Sequence, residues 1–231
     1  MTYIKKTQQL FEHWAQNGRA EGMERGHSTR AAVALERIPL QEGDRVLDLG
    51  CGNGWATRWL RAQLGPSGTA VGTDVADAML ARAEEQSATL DGVSFRNAAF
   101  EALPWEDNSF DHAFSMEAIY YAPDVPAALC SIRRVLRPGG TFTICIDFFE
   151  ENPYSASWPG MLDIEMKRLS QQGWVSAFGE AGFHVDEAFR CFDPRPVEDD
   201  LPEWQREERL DFRTNIGSLA VRGRVSAEGS L

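Results

Sequence analysis

Residues 45–54, RVLDLGCGNG, constrain what this chain can fold into more than any other stretch. Val46, Leu47 and Leu49 form a short apolar run of the kind found in a strand buried on both faces of a sheet. Gly50, Gly52 and Gly54 follow, alternating with Cys51 and Asn53. Glycine takes positive φ without a steric penalty and lets a ligand lie against the backbone. Trp55, Trp59, Leu60 and Leu64 then recur at helical spacing. The stretch reads as strand, glycine turn, helix, the local anatomy of a nucleotide-binding crevice. Asp48 lies two residues before Gly50, where a dinucleotide enzyme usually keeps an apolar residue. Asp74 ends a second strand at about the distance at which an acid reaches ribose hydroxyls.

The pattern that follows alternates strand and helix. The first strand spans 45–48 and its helix 55–64. A turn of Gly65, Pro66, Ser67 and Gly68 leads to a strand at 69–73. Asp77 is placed to cap a helix over 78–88. Strands are expected at 93–97, 110–115 and 141–146, with a helix over 125–135 between the last two. Such alternation predicts a parallel sheet joined by right-handed crossovers.

The G-x-G-x-G turn with Asp48, Asp74 and the RVLRPGG run at 134–140 resemble the class I S-adenosylmethionine (SAM)-dependent methyltransferases, and among them the small-molecule enzymes without a large extra domain. The resemblance covers residues 44–146. It implies an α/β, Rossmann-like class I methyltransferase fold. That fold has a seven-stranded, mostly parallel sheet, an antiparallel edge hairpin and helices on both faces. It also implies SAM as cofactor, S-adenosylhomocysteine as product and a small-molecule methyl acceptor.

Outside the core, residues 3–16 read as an amphipathic helix, with Ile4, Leu10, Phe11 and Trp14 apolar. Asn17, Gly18, Gly22 and Gly26 are expected to break it. Ser28 is then placed to cap a second helix over 29–38, stopped by Pro39. Residues 1–40 are expected to form an N-terminal helical cover, of the kind that often closes the cofactor site in the resembled family. Beyond the core, 148–159 reads as an aromatic and acidic loop, 162–169 and 170–181 as helices, and 184–192 as a strand. An acidic connection at 193–201, a charged helix at 203–212, a last strand at 218–225 and a frayed tail from Ser226 complete the chain. The expectation is one domain over 1–231: cover 1–40, cofactor core 44–146, substrate-side elements and hairpin 147–225.

Composition narrows the function. With 43% hydrophobic residues in 231, the chain can bury a sizeable core. A formal net charge of −12 disfavours a nucleic-acid partner, which needs clustered Lys and Arg. Arg133, Arg134 and Arg137 read as a solvated face. No apolar run approaches a membrane span, and the first residues lack a signal-peptide core, so a cytoplasmic location and no membrane partner are expected. Cys51, Cys130, Cys145 and Cys191 form no C-x-x-C pair, so no metal site is expected, and Cys130 and Cys145 read as reduced core residues. The oligomeric state is not readable.

Each part of SAM needs a different partner. Asp48 offers a carboxylate to the amino-acid tail's ammonium, and the backbone at Gly50, Cys51, Gly52 and Asn53 can hold that tail closely. Asp74 offers acceptors to the ribose hydroxyls, with Val75 and Met79 against the adenine. The resembled family usually reads G-D-A-E-x-L-P-F after the third strand. Here the acid is Ala99, so the contact falls to the backbone of Ala99 and Phe100 and to stacking by Phe100. After the fourth strand the family often reads S-x-E-x-x-x-H beneath the reacting methyl. This chain has Ser115, Glu117 and, in place of the histidine, Tyr121. Ser115 is a candidate cofactor contact, and Glu117 and Tyr121 are candidate catalytic residues. Tyr120 and Tyr121 also present π faces suited to a sulfonium. His27, in a glycine-hinged stretch, is a candidate base on a mobile lid, while His13, His112 and His184 read as structural.

Methyl transfer from a sulfonium is an in-line displacement. The protein must mainly align the reactants and exclude water. A base is needed only for an acceptor that carries a proton. Nitrogen, oxygen, carbon and sulfur acceptors therefore stay open. So do two other readings: a non-catalytic SAM-binding or regulatory protein, and a nicotinamide-dependent oxidoreductase. The latter is opposed by Asp48 and by the absence of a Tyr-x-x-x-Lys hydride site.

Overall fold

The computed structural model describes residues 3–226. Its centre is a sheet in which, among the described residues, seven strands run in the order β3-β2-β1-β4-β5-β7-β6. These are β1 (Arg45–Leu49), β2 (Thr69–Asp74), β3 (Val93–Asn97), β4 (Phe110–Met116), β5 (Leu136–Ile146), β6 (Phe183–Cys191) and β7 (Ser218–Val225). Strands β1 to β5 are parallel, and β7 runs antiparallel between β5 and β6. This is the mostly parallel sheet with an antiparallel edge hairpin that the resemblance implied.

The helices are α1 (Tyr3–Gln16), α2 (Arg19–Leu35), α3 (Trp55–Gln63), α4 (Asp77–Ser87), α5 (Val125–Val135), α6 (Trp158–Leu162), α7 (Gln171–Glu180) and α8 (Glu203–Asp211). They lie on both faces of the sheet. Leu47, Leu49, Phe142 and Ile144 pack with α5 and α7 on one side. Val46, Ala70, Phe114 and Cys145 pack with α2 and α3 on the other. Consecutive strand residues feed opposite cores, so a buried parallel strand must be apolar at nearly every position. Chain connections leave β1 towards β2 and β4 towards β5. The strand order therefore reverses between β1 and β4, and a crevice opens beyond their carboxyl ends.

Helix ends follow local chemistry where local chemistry suffices. Asp124 caps α5 by accepting from the Ala127 N–H at 2.9 Å, with Pro126 in the first turn. Ser170 caps α7 through the Gly173 N–H. Helix α4 departs from expectation: its N-cap is Ala76, and Asp77 lies in the first turn. The cap comes from another helix, because Glu12 of α1 accepts from the Asp77 and Ala78 N–H groups.

Several sequence expectations are corrected. Helix α2 begins at Arg19, not at residue 29, and runs through Gly22, Gly26 and Ser28. Gly18, at φ 70°, makes the break alone. Burial of Ala20, Arg30, Ala31, Ala34 and Leu35 outweighs the roughly 1 kcal/mol that each interior glycine costs a helix. Residues 163–169 are not helical. Asp163 turns left-handed at φ 51° to end α6, and the following backbone bonds to neighbouring segments, with Lys167 N–H donating to Tyr120 O at 2.9 Å. Strand β5 starts at Leu136, five residues earlier than expected, and takes in the RPGG run. Phe148 and Phe149, expected in an aromatic and acidic loop, are fully buried. Cys130, expected in the core, is exposed. Of the expected tail, residues 227–231 lie outside the described residues. Among the described residues no helix is long and apolar enough to cross a membrane.

Candidate cofactor and acceptor site

A cavity of about 290 Å³ fills the crevice at the strand-order reversal. One end is built by the elements the sequence singled out: Asp48, Gly50, Cys51, Gly52 and Asn53 after β1, Asp74, Val75 and Met79 after β2, and Ala98, Ala99 and Phe100 after β3. The other end is closed by α1, α2, α6 and the turn after β4. It takes in His27, Glu117, Tyr121 and Trp158, while Trp14 and Met23 pack with Met79, and Phe11 reaches from that cluster to Tyr121.

The glycine turn is needed for two separate reasons. Gly50, Gly52 and Gly54 all have positive φ. A Cβ on Gly50 would sit 2.3 Å from the Ala118 Cβ, so glycine there lets β1 and β4 approach. A Cβ on Gly52 would meet nothing within 4 Å. The bare backbone of Gly52 thus faces open space on the cavity floor, a cradle that a side chain would fill.

Both acids occupy buried positions. The Asp48 carboxyl accepts from the Thr57 hydroxyl at 2.6 Å, and burial pushes its pKa up to about 7 against that hydrogen bond. Asp74 accepts from the Gly52 N–H and the Ala76 N–H, each at 3.0 Å, and burial raises it to about 6. Each oxygen keeps a lone pair, so both acids retain acceptor capacity towards the cavity. An ammonium and a pair of hydroxyls are partners of the type they lack. The residues present therefore fit SAM: a carboxylate for the tail, bare backbone beneath it, and an acid at the ribose distance. Ser115 is placed differently from the other candidates. It is fully buried, donates to the Leu49 carbonyl at 2.9 Å and does not line the cavity.

The three catalytic candidates meet at the far end. His27 is not on a glycine-hinged lid; it projects from the middle of α2 and is half-buried against the cavity. Burial lowers its pKa to about 4, with Asp147 opposing and Arg30 reinforcing the shift. Its ring nitrogens have no hydrogen-bond partner among the described residues. Glu117 has φ 53°, unusual for a residue with a side chain, and such strain persists only where the surroundings enforce it. Its carboxyl accepts from the Asp147 N–H and from the Tyr120 hydroxyl at 2.8 Å. Burial, with the Asp147 charge, pushes it well above the usual carboxylate range. Tyr121 turns its ring edge-on to Phe11, with centroids 5.1 Å apart.

Sequence reasoning missed the residues that hold this end together. Arg30 of α2 donates to Asp147 at 2.7 Å and to Ser218 at 2.9 Å, and lies 3.8 Å from Asp193. It carries no local signal, because its partners are 117 and 188 residues away in the chain. His27, Glu117 and Asp147 bring three donor atoms within 4.8 Å of one another. The Arg30 guanidinium already places a positive charge on Asp147, which opposes a cation there. Glu117 and Asp147 are joined by a hydrogen bond, and His27 stands beside them without one.

Comparison with known proteins agrees with this geometry. The Methyltransferase domain family matches residues 47–144. Demethylmenaquinone methyltransferase of Staphylococcus aureus is 34% identical over 121 residues, 52% of this chain, and the match spans about half the length of that relative, 50%. A chain in the complex between the Haloferax volcanii Trm112 methyltransferase activator and its candidate methyltransferase is 37% identical, with a TM-score of 0.86, covering 94% of this chain and 97% of that one. A SAM-dependent methyltransferase from Aquifex aeolicus shares the fold at 17% identity, TM-score 0.68, over 90% of this chain and 97% of its own. Sheet order, glycine turn, paired acids and near full-length similarity together lead to one conclusion: this chain belongs to the class I SAM-dependent methyltransferases.

Proposed function

We propose that this chain transfers the methyl group of SAM to a small-molecule acceptor and releases S-adenosylhomocysteine. The observation that carries the reading is the convergence of Asp48, the bare Gly52 backbone and Asp74 on one cavity. When bound, SAM supplies a methyl already activated by a positive sulfur. Asp48 holds the ammonium, and Gly50, Cys51, Gly52 and Asn53 bed the amino-acid tail. Asp74 accepts from the ribose hydroxyls. Val75 and Met79 pack on the adenine, while Ala99 and Phe100 line its edge. The aromatic end excludes water and aligns the acceptor with the methyl, which is most of what this displacement asks of a protein.

The decisive experiment is calorimetric titration with SAM and with NAD, followed by measurement of S-adenosylhomocysteine release with a panel of acceptors. SAM binding with acceptor-dependent release supports the reading. SAM binding without release for any acceptor supports a non-catalytic role, and NAD binding alone removes the cofactor assignment. The Haloferax relative was solved with an activator protein. We extend the same partnership to this chain: co-expression with a protein of that activator family should raise turnover, and unchanged turnover removes the extension.

A further inference from the structure

We infer that the acceptor is a planar molecule presenting a neutral phenolic or enolic hydroxyl to His27, and that the imidazole of His27 receives the hydroxyl proton as the methyl arrives. The inference rests on the proposed use of SAM and concerns the other end of the same cavity.

Outside the cofactor end, the charged residues lining the cavity are Arg19, Glu24, Glu101 and Glu117. Arg19 is exposed and lies over the Trp14 ring, 4.1 Å from its centroid. Glu24 is bound by the Asn53 amide at 2.7 Å and lies 3.9 Å from Arg58. Glu101 accepts from the Asp124 N–H. Glu117 is fixed between the Asp147 N–H and the Tyr120 hydroxyl, and burial, reinforced by the Asp147 charge, raises its pKa well above the usual carboxylate range. Asp147 itself is held by Arg30. Beside His27 the charges are thus matched within the protein, Asp147 by Arg30 and the Glu117 carboxyl by two donors. A charged group brought against His27 would lose its hydration without a new partner there, whereas a neutral hydroxyl would not.

The walls then define shape. Phe11 stands edge-on to Tyr121 at a centroid distance of 5.1 Å, and Trp158, stacked on Phe148, adds a further aromatic wall. Aromatic faces and edges of this kind suit a planar ring. The His27 imidazole lines this space and makes no hydrogen bond among the described residues. Asp147, Arg30, Glu117 and Tyr120 surround it, and burial keeps it neutral throughout the physiological range. A neutral imidazole accepts a hydrogen bond, and a hydroxyl on the ring donates one.

The reaction balances as follows. The hydroxyl oxygen forms a bond to the methyl carbon as the carbon–sulfur bond breaks, and that electron pair stays on sulfur. The oxygen becomes strongly acidic as the new bond forms, and its proton passes to the free ring nitrogen of His27. The Asp147 carboxylate stabilises the resulting imidazolium, which then loses its proton to solvent. No ionised phenolate is required beforehand.

The test has one arm without the cofactor. 4-Nitrophenol is titrated into the protein without SAM, by calorimetry and by absorbance. The expected result is binding as the neutral phenol, with the phenolate band suppressed and the ligand's apparent pKa raised. Binding as phenolate overturns the inference. His27→Asn is expected to weaken phenol binding about 10-fold, the worth of one hydrogen bond to a buried polar group. In the second arm, S-adenosylhomocysteine release is measured with phenols, amines and carboxylates. Phenols should exceed the others at least tenfold, and His27→Asn should lower kcat roughly 100-fold, within the range for a general base, while SAM affinity stays within about twofold. His27→Gln and the melting temperature of both variants separate loss of the base from loss of fold. Preferred methylation of amines or carboxylates, or wild-type turnover of phenols by His27→Asn, overturns the inference. Failure of SAM to bind would instead overturn the proposed function, and leaves the phenol titration readable on its own.

Discussion

The guanidinium of Arg30 donates to the carboxylate of Asp147 at 2.7 Å, both side chains being more than nine-tenths buried. This pair joins α2 to the end of β5, and through Asp147 it fixes the carboxyl of Glu117. Removing one partner leaves a buried charge uncompensated. Arg30→Met is therefore expected to cost about 3–5 kcal/mol of stability by urea unfolding. Arg30→Met combined with Asp147→Leu should recover part of that loss, because no lone charge remains on either side of the pair. If Arg30→Met unfolds at the wild-type urea concentration, the pair is not a structural tie.

The glycine turn separates two functions that a single motif would conflate. Gly50→Ala drives a Cβ to 2.3 Å from the Ala118 Cβ and should destabilise the fold by about 1–3 kcal/mol, the usual cost of overpacking. Gly52→Ala meets no atom and should cost only the strain of its positive φ, about 1 kcal/mol. It should nevertheless abolish measurable SAM binding, because its methyl group fills the cradle. Melting temperatures and SAM titrations of the two variants check the contrast, and equal effects on both quantities would sink it.

Asp48 and Asp74 impose a pH dependence with a defined sign. Burial raises Asp48 to about 7 and Asp74 to about 6, above their values in the unfolded chain. The folded empty protein thus holds protons that the unfolded chain has released. These two groups stabilise it most below about pH 4, and that stability is lost as pH rises towards 7. A bound ammonium favours the ionised form of Asp48. SAM affinity should accordingly rise between pH 5 and pH 8, with protons released on binding, as read by calorimetry in buffers of different ionisation enthalpy. Asp48→Asn should flatten that slope, and a slope unchanged by the substitution contradicts the assignment.

Asp74→Asn tests the ribose contact. It keeps the size of the side chain and removes the charge. Loss of charged hydrogen bonds worth about 1.5–3 kcal/mol should weaken SAM about 10- to 150-fold. An affinity within twofold of wild type would move the ribose elsewhere.

Thiol accessibility offers a direct check on the packing. Cys130 is exposed on the outer face of α5, while Cys51, Cys145 and Cys191 are buried. A thiol reagent should label one cysteine quickly in the folded protein and all four in denaturant. Rapid labelling of Cys145 would mean that the contact between β5 and the α2 layer opens readily.

The core was legible because its signals are local. The run Val46, Leu47, Leu49 marks a doubly buried strand, and Gly50 to Gly54 a turn that only glycines make. Strand period and turn chemistry act over a few residues, so sequence alone determined the α/β core, the glycine cradle and the placement of Asp48 and Asp74, whereas the expected caps Ser28 and Asp77 gave way to longer-range contacts. Tertiary structure decided the rest, because the energies involved come from residues far apart. Gly22 and Gly26 lie within a helix since packing of Ala31, Ala34 and Leu35 outweighs glycine propensity. Glu12 caps a helix that begins sixty-five residues later. His27 became a cavity wall, and Glu117 a buried carboxyl with a raised pKa, only when α2, β4 and the end of β5 met around Arg30. A buried charge network is assembled by the fold, and no window of neighbouring residues contains it.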